Sequence, residues 1–262
     1  MTGAWVVARR ELSGLFKAPF TWIVILVVLF LNGLLFNAVL VGSNGDVTDS
    51  LSFAQSGIIF WLAMIFLPAL LAMRLVAEES RTGTLEYLLT APVSDGAVVF
   101  GKFCAATAFM GLLWTSSLVY AGALQLAGGP PDWAAVVGTW VGTVFVSALF
   151  VAIAMLASTL TSTPLLAAFL SMVACVAWLV IPWLAARALD YIVPLFARTD
   201  AAREAVNETV GGLVSNMDAF RHFERSFQLG VFDTSEIVFF VTWTAFFLFL
   251  TARMIEARRW RG

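Results

Sequence analysis

Six runs of apolar residues, each near or beyond the length that crosses a bilayer, constrain this chain more than any other feature. They lie at 20–41, 57–77, 100–127, 134–160, 164–186 and 236–253 of the 262 residues. A spanning helix needs roughly 20 apolar residues; runs two and six have apolar centres of about 17, the short end of the range. In lipid every backbone N–H and C=O must find a partner inside its own segment, so the runs must be helices rather than strands. Only 12% of the residues are charged, against about 25% in a soluble domain. The sequence predicts an all-α polytopic membrane protein with six transmembrane helices. Pro68 and Pro182 fall within runs two and five and should kink them, neighbouring helices pairing the freed carbonyls.

Residues 1–19 read as a separate element, a cytoplasmic amphipathic helix lying in the membrane interface. Trp5, Ala8, Leu12, Leu15 and Phe16 share one face at helical spacing, while Arg10, Ser13 and Lys17 occupy another and Arg9 borders the apolar stripe. The first run is too long for a signal-peptide core of 7–15 residues and no small-x-small site closes it cleanly, so it should remain as a span. Residues 20–262 then form the six-span domain.

Basic residues orient it. Arg9, Arg10 and Lys17 precede run one; Arg74, Arg81 and Lys102 lie between runs two and three; Arg253, Arg258, Arg259 and Arg261 end the chain. The loop 43–55 carries Asp46 and Asp49 instead. Both termini and the loop after run two are therefore expected in the cytoplasm, with the bacterial cytoplasmic (inner) membrane as the location. The segment 187–235 is expected outside, since long loops translocate regardless of their arginines. It should hold short helices over Asp200–Asn207 and Asp218–Leu229, broken near Gly211 and Gly212. Phe220, Phe223 and Phe227 should face the bundle or the outer interface.

The chain lacks the equipment for covalent chemistry. Cys104 and Cys175 sit inside apolar runs, as small buried hydrophobes do, and the single His222 has no partner at metal-ligand spacing. A net charge of −2 points to no nucleic-acid partner. Gly96–Phe103 imitates a phosphate-binding loop, but Phe103 stands where Ser or Thr must bind Mg²⁺, and the segment opens a span. No Asp, Glu, Lys or Arg is expected mid-span, which argues against an ion-coupled carrier and an intramembrane hydrolase. Asn32, Asn37, Thr107, Thr115, Ser116, Ser117 and Gln125 either line a path or, the more ordinary role, bond between helices. Gly138 and Gly142 form a small-x-x-x-small pair that serves a subunit interface or packing within one subunit equally well.

The most informative stretch is Glu78-Glu79-Ser80-Arg81-Thr82-Gly83-Thr84-Leu85-Glu86-Tyr87-Leu88-Leu89-Thr90-Ala91-Pro92, directly after run two. Glu78 and Arg81 can pair on a helix surface. Gly83 permits a turn. Leu85, Leu88 and Leu89 make the apolar stripe of a second short helix, and Pro92 ends it. An amphipathic helix held just outside the membrane suits docking to a soluble partner.

The pattern Glu-Glu-x-Arg-x-Gly-Thr-Leu-Glu-x-Leu-Leu-x-x-Pro resembles the signature of ABC-2 type transporter permeases, and the six-span plan, interfacial helix and basic C-terminus extend the likeness over the whole chain. His222-Phe223-Glu224, Phe227, Gly230-Val231, Asp233 and Arg258-Arg259-Trp260 resemble the gliding-motility-associated (Gld-type) and nitrous-oxide-reductase-maturation branch. The resemblance implies that 74–99 carries a coupling helix seated in a separate ATP-binding subunit, which would hold the ATP and Mg²⁺. It implies contact through Glu78, Glu79, Arg81, Gly83, Thr84, Leu85, Glu86 and Leu88. It also implies a second permease copy or paralogue, with Trp5, Arg9, Arg10 and Lys17 as a second lever in the lipid interface. An export permease is one expectation. The other is a mechanical transducer that passes ATPase-driven motion to a periplasmic or surface partner without moving substrate.

Overall fold

A computed structural model of the chain describes residues 2–42, 55, 57–77, 94–196 and 207–259. Among these there is no strand. Helix α1 (Thr2–Lys17) leads at Ala18 into α2 (Pro19–Gly42). Helix α3 (Ile58–Ala72) stays helical across Pro68 and continues as a wider, π-helical turn, Met73–Ala77. Then come α4 (Asp95–Trp114), α5 (Ser116–Leu126), α6 (Trp133–Ser158) and α7 (Pro164–Phe196). Helical turns over Asn207–Gly211 and Gly212–Ser215 precede α8 (Ala219–Arg225), a 3-10 turn at Phe227–Leu229 and α9 (Thr234–Arg259). Six of these stretches are long and apolar enough to span: Thr21–Ala38, Ile58–Leu75, Asp95–Leu126, Trp133–Ser158, Pro164–Val193 and Thr234–Ala257. The all-α, six-span architecture stands.

Helix α6 is the axis of the bundle. It packs against α3, α4, α7 and α9, and 72% of its most apolar 18-residue stretch is buried, against 17% of the matching stretch in each of α2, α7 and α9. Small residues make this possible, because they let backbones approach where lipid offers no hydrophobic drive between helices. Asp132 starts α6, its carboxylate accepting from the N–H groups of Ala134 and Ala135 at 2.9 and 3.4 Å.

Three expectations need correction. Run three is two helices, because Thr115 and Ser117 donate their hydroxyls back to the carbonyls of Gly111 and Trp114 at 2.9 Å each. Such back-bonding competes with the helix ladder. Run five does not stop at 186 but continues as helix to Phe196, so the first residues assigned to the outer segment extend the span. The outer helical turns run through Gly211 and Gly212; the break comes at Asn216 and Met217, before Asp218 caps α8 through Phe220 N and Arg221 N. Of the helix expected over Asp200–Asn207, all but Asn207 lies outside the described residues.

Helix α8 folds back onto the bundle. Phe223 and Phe227 are fully buried, Phe223 stacking on Phe60 with centroids 5.5 Å apart. Phe220 keeps partial exposure while its ring lies 5.2 Å from Trp61. The turn after Phe227 needs Gly230, whose φ of +70° is left-handed and whose Cα faces the α6 backbone at Ala134 and Ala135.

Candidate functional site

The predicted contact residues Glu78, Glu79, Arg81, Gly83, Thr84, Leu85, Glu86 and Leu88 lie outside the described residues. What is described is how the chain is held on either side of them. Both flanking ends sit at the end of the bundle that carries α1.

The leaving end is Ala77. Its N–H donates to Ser158 Oγ at 3.2 Å, and the same hydroxyl donates to Ala72 O at 2.8 Å. Ala72, Ala77 and Ser158 are all inaccessible to solvent. The returning end is Ser94, which caps α4 by accepting from Ala97 N at 3.4 Å.

One turn into α4 lies the Gly101-Lys102 pair that imitates a phosphate loop. Its role here is packing. A Cβ at position 101 would stand 2.6 Å from Ala4 O and 2.8 Å from Val7 Cβ, so only glycine lets α1 seat against α4. Lys102, 1% exposed, donates to Glu11 Oε1 at 3.1 Å, and Arg10 Nη2 reaches the same oxygen at 2.6 Å. Burial alone would raise the Glu11 carboxyl, but Lys102 and Arg10 outweigh it and hold the group below its ordinary 4.5. Helix α1 is therefore docked by a buried charge as well as by an apolar face. Trp22 Nε1 donates to Phe16 O at 2.8 Å and pins the corner into α2.

The expected apolar face of α1 is kept at Ala8, Leu12, Leu15 and Phe16, which pack on the bundle, but Trp5 falls off it. Val7, Ala8 and Leu15 are buried, whereas Trp5 is 72% exposed and Val6 65%. Arg9, Arg10 and Lys17 are exposed. The docked face follows the seat at Gly101 and the ion pair at Lys102; Trp5 is left on the outer surface.

In the spans, Asn32 Nδ2 donates within its own helix to Val28 O at 3.0 Å, and Asn37 is exposed. Gln125 bonds between helices, accepting from Trp133 Nε1 at 2.9 Å. Residues that sequence reasoning passed over tie the helices instead. Tyr120 donates to Leu29 O at 3.1 Å, Ser171 to Ala154 O at 3.0 Å, and Ser147 to Met64 Sδ at 3.5 Å. Gly138 and Gly142 face the same subunit: added Cβ atoms would meet Phe227 O and the Phe227 ring carbons, each at 2.5 Å. At that opposite end His222 Nδ1 pairs with Glu236 Oε2, and Nε2 lies 3.1 Å from Asn216 O. Among the described residues no three His, Cys, Asp or Glu side chains cluster as metal ligands.

Two apolar cavities open between the spans. One of about 400 Å³ lies beside the Thr115 break, lined by Ile25, Leu29, Phe109, Leu113 and Tyr120. Another of about 610 Å³ separates α3 from the start of α7, between Phe66, Met73, Leu166 and Phe169.

Comparison with known families agrees with this arrangement. No match is found among curated proteins. The family described as ABC-2 family transporter protein matches residues 66–258, more than half of the chain, from within the second span through the sixth. The chain belongs to the ABC-2 family of transporter proteins, as a membrane permease.

Proposed function

We propose that this permease receives work from a separate ATP-binding subunit through residues 78–93 and converts it into movement of substrate out of the cell. One observation carries the reading. The segment with the coupling signature hangs between two anchored ends, Ala77 held by Ser158 and α4 braced by α1. A push on that segment would reach the bundle core without being lost in slack. ATP and Mg²⁺ belong to the partner, two permeases pair, and both termini lie in the cytoplasm of a bacterial inner membrane. Glu78, Glu79, Arg81 and Glu86 supply charged contacts, with Leu85 and Leu88 seated in the partner's groove and Gly83 and Thr84 at the turn. The lateral apolar cavities favour an amphipathic or lipid-like cargo.

A second reading, force transmission to an outer partner without transport, draws on the outer cap. There Phe223 ties α8 to Phe60 and Trp61 of α3, and Phe227 ties the turn after it to α6. The test of both is the assembled complex. Copurification of an ATP-binding subunit, with hydrolysis raised above that of the subunit alone, supports coupling; no copurification sinks it. A lumen through the permease dimer in one nucleotide state supports transport, and a closed seam in every state supports the transducer.

A further inference from the structure

We infer that Ser158 is a positioning residue for coupling: its hydroxyl locks the end of α3 to α6, so that both helices follow the 78–93 segment together. The inference rests on the functional reading above. Its observation is the wide turn Met73–Ala77, where the helix departs from α geometry immediately before the coupling signature. A π turn pairs groups five residues apart, is rare, and recurs at functional positions. Here the two groups at that separation, Ala72 C=O and Ala77 N–H, are bridged by one side chain from another helix. A side chain inserted into the ladder is a recognised cause of such local unwinding.

No water can replace the hydroxyl without opening the packing, because Ala72, Ala77 and Ser158 are all fully buried. Removing it would take one hydrogen bond from each of two buried groups, and the turn could relax toward α geometry. That relaxation would rotate the chain beyond Ala77 relative to α6. Ser158 is also the last residue of α6, one turn beyond Ala154, whose carbonyl takes the Ser171 hydroxyl of α7. The position of Ala77 is thus passed to α3 through the backbone, to α6 through Ser158, and onward to α7.

The experiment uses the full chain in complex with its ATP-binding subunit in lipid nanodiscs. It compares Ser158→Ala and Ser158→Thr with the wild type, reading melting temperature, hydrogen exchange over Met73–Ala77 and permease-dependent ATP hydrolysis. Ser158→Ala is expected to assemble and melt close to the wild type. It should exchange faster over the turn and lose about three- to tenfold of the permease-dependent hydrolysis. Ser158→Thr, which keeps the hydroxyl, should restore most of it. Unchanged hydrolysis in Ser158→Ala overturns the inference, as does a loss that merely tracks a lowered melting temperature. A wild-type complex without permease-dependent hydrolysis overturns instead the functional reading beneath it.

Discussion

Lys102 Nζ lies 3.1 Å from Glu11 Oε1, and this contact between the third span and helix α1 is made by a lysine with 1% of its side chain exposed. A buried ammonium is stabilised only while its counter-charge stays close. Glu11→Ala should therefore loosen α1 from α4, at a cost of about 2 kcal/mol, less than for a fully buried pair because Glu11 keeps some exposure. Replacing both partners by Glu11→Leu with Lys102→Met should recover most of that loss. Thermal melts of the three proteins in detergent check this. A single variant as stable as the wild type would contradict it.

The same carboxylate carries a pH dependence. Its folded-state pKa lies below the ordinary 4.5, so its contribution is complete above about pH 6 and is lost as pH falls through 4.5 toward the folded value. Proteolytic cleavage within α1 should rise between about pH 5 and pH 3. In Glu11→Gln the cleavage should already be fast at neutral pH and change little over that range.

The packing of α8 and the turn after it on the bundle depends on backbone contact at two glycines. Gly230→Ala would place a Cβ 2.5 Å from the Ala134 carbonyl carbon at a left-handed φ, and Gly138→Ala would press on Phe227 O at the same distance. Each should destabilise by more than about 2 kcal/mol. Gly122→Ala, on α5 with nothing within 4 Å of the new methyl, should be neutral or stabilising by a few tenths of a kcal/mol, because alanine favours a helix over glycine. Melting temperatures of the three variants, side by side, check the ordering.

Orientation can be read by labelling single cysteines in intact cells with a membrane-impermeant thiol reagent. Positions within 43–55 and 201–212 should react from outside, and positions within 80–94 only after permeabilisation. The opposite pattern would reverse the topology that the basic residues predict.

Much of this architecture was legible in the sequence, because a helix crossing lipid must be both long and apolar, and six stretches are. What lipid hides is the inner face. Leu26 and Phe30 on α2 are exposed while Leu149 and Phe150 on α6 are fully buried, yet all four are equally apolar as letters. Hydrophobicity cannot separate a neighbour helix from an acyl chain. For the same reason Trp5 joined the apolar stripe of α1 on spacing alone, although the docked face turns toward Gly101 and Lys102. The Gly-Lys pair was conspicuous but was weighed only as a failed phosphate loop. Its use as a helix seat depends on Ala4 and Val7, nearly a hundred residues away. Ser158 carries no local signal, being one of several small hydroxyl residues at the end of an apolar run; only the contact with Ala72 and Ala77 distinguishes it.

The central claim is that residues 78–93 pass ATP-driven motion to the spans. It is tested most directly by permease-dependent ATP hydrolysis of the reconstituted complex carrying Glu86→Lys or Gly83→Pro. Both variants should insert and expose their loops with wild-type sidedness, yet lose the stimulated hydrolysis. Stimulation at the wild-type level in both would contradict the claim.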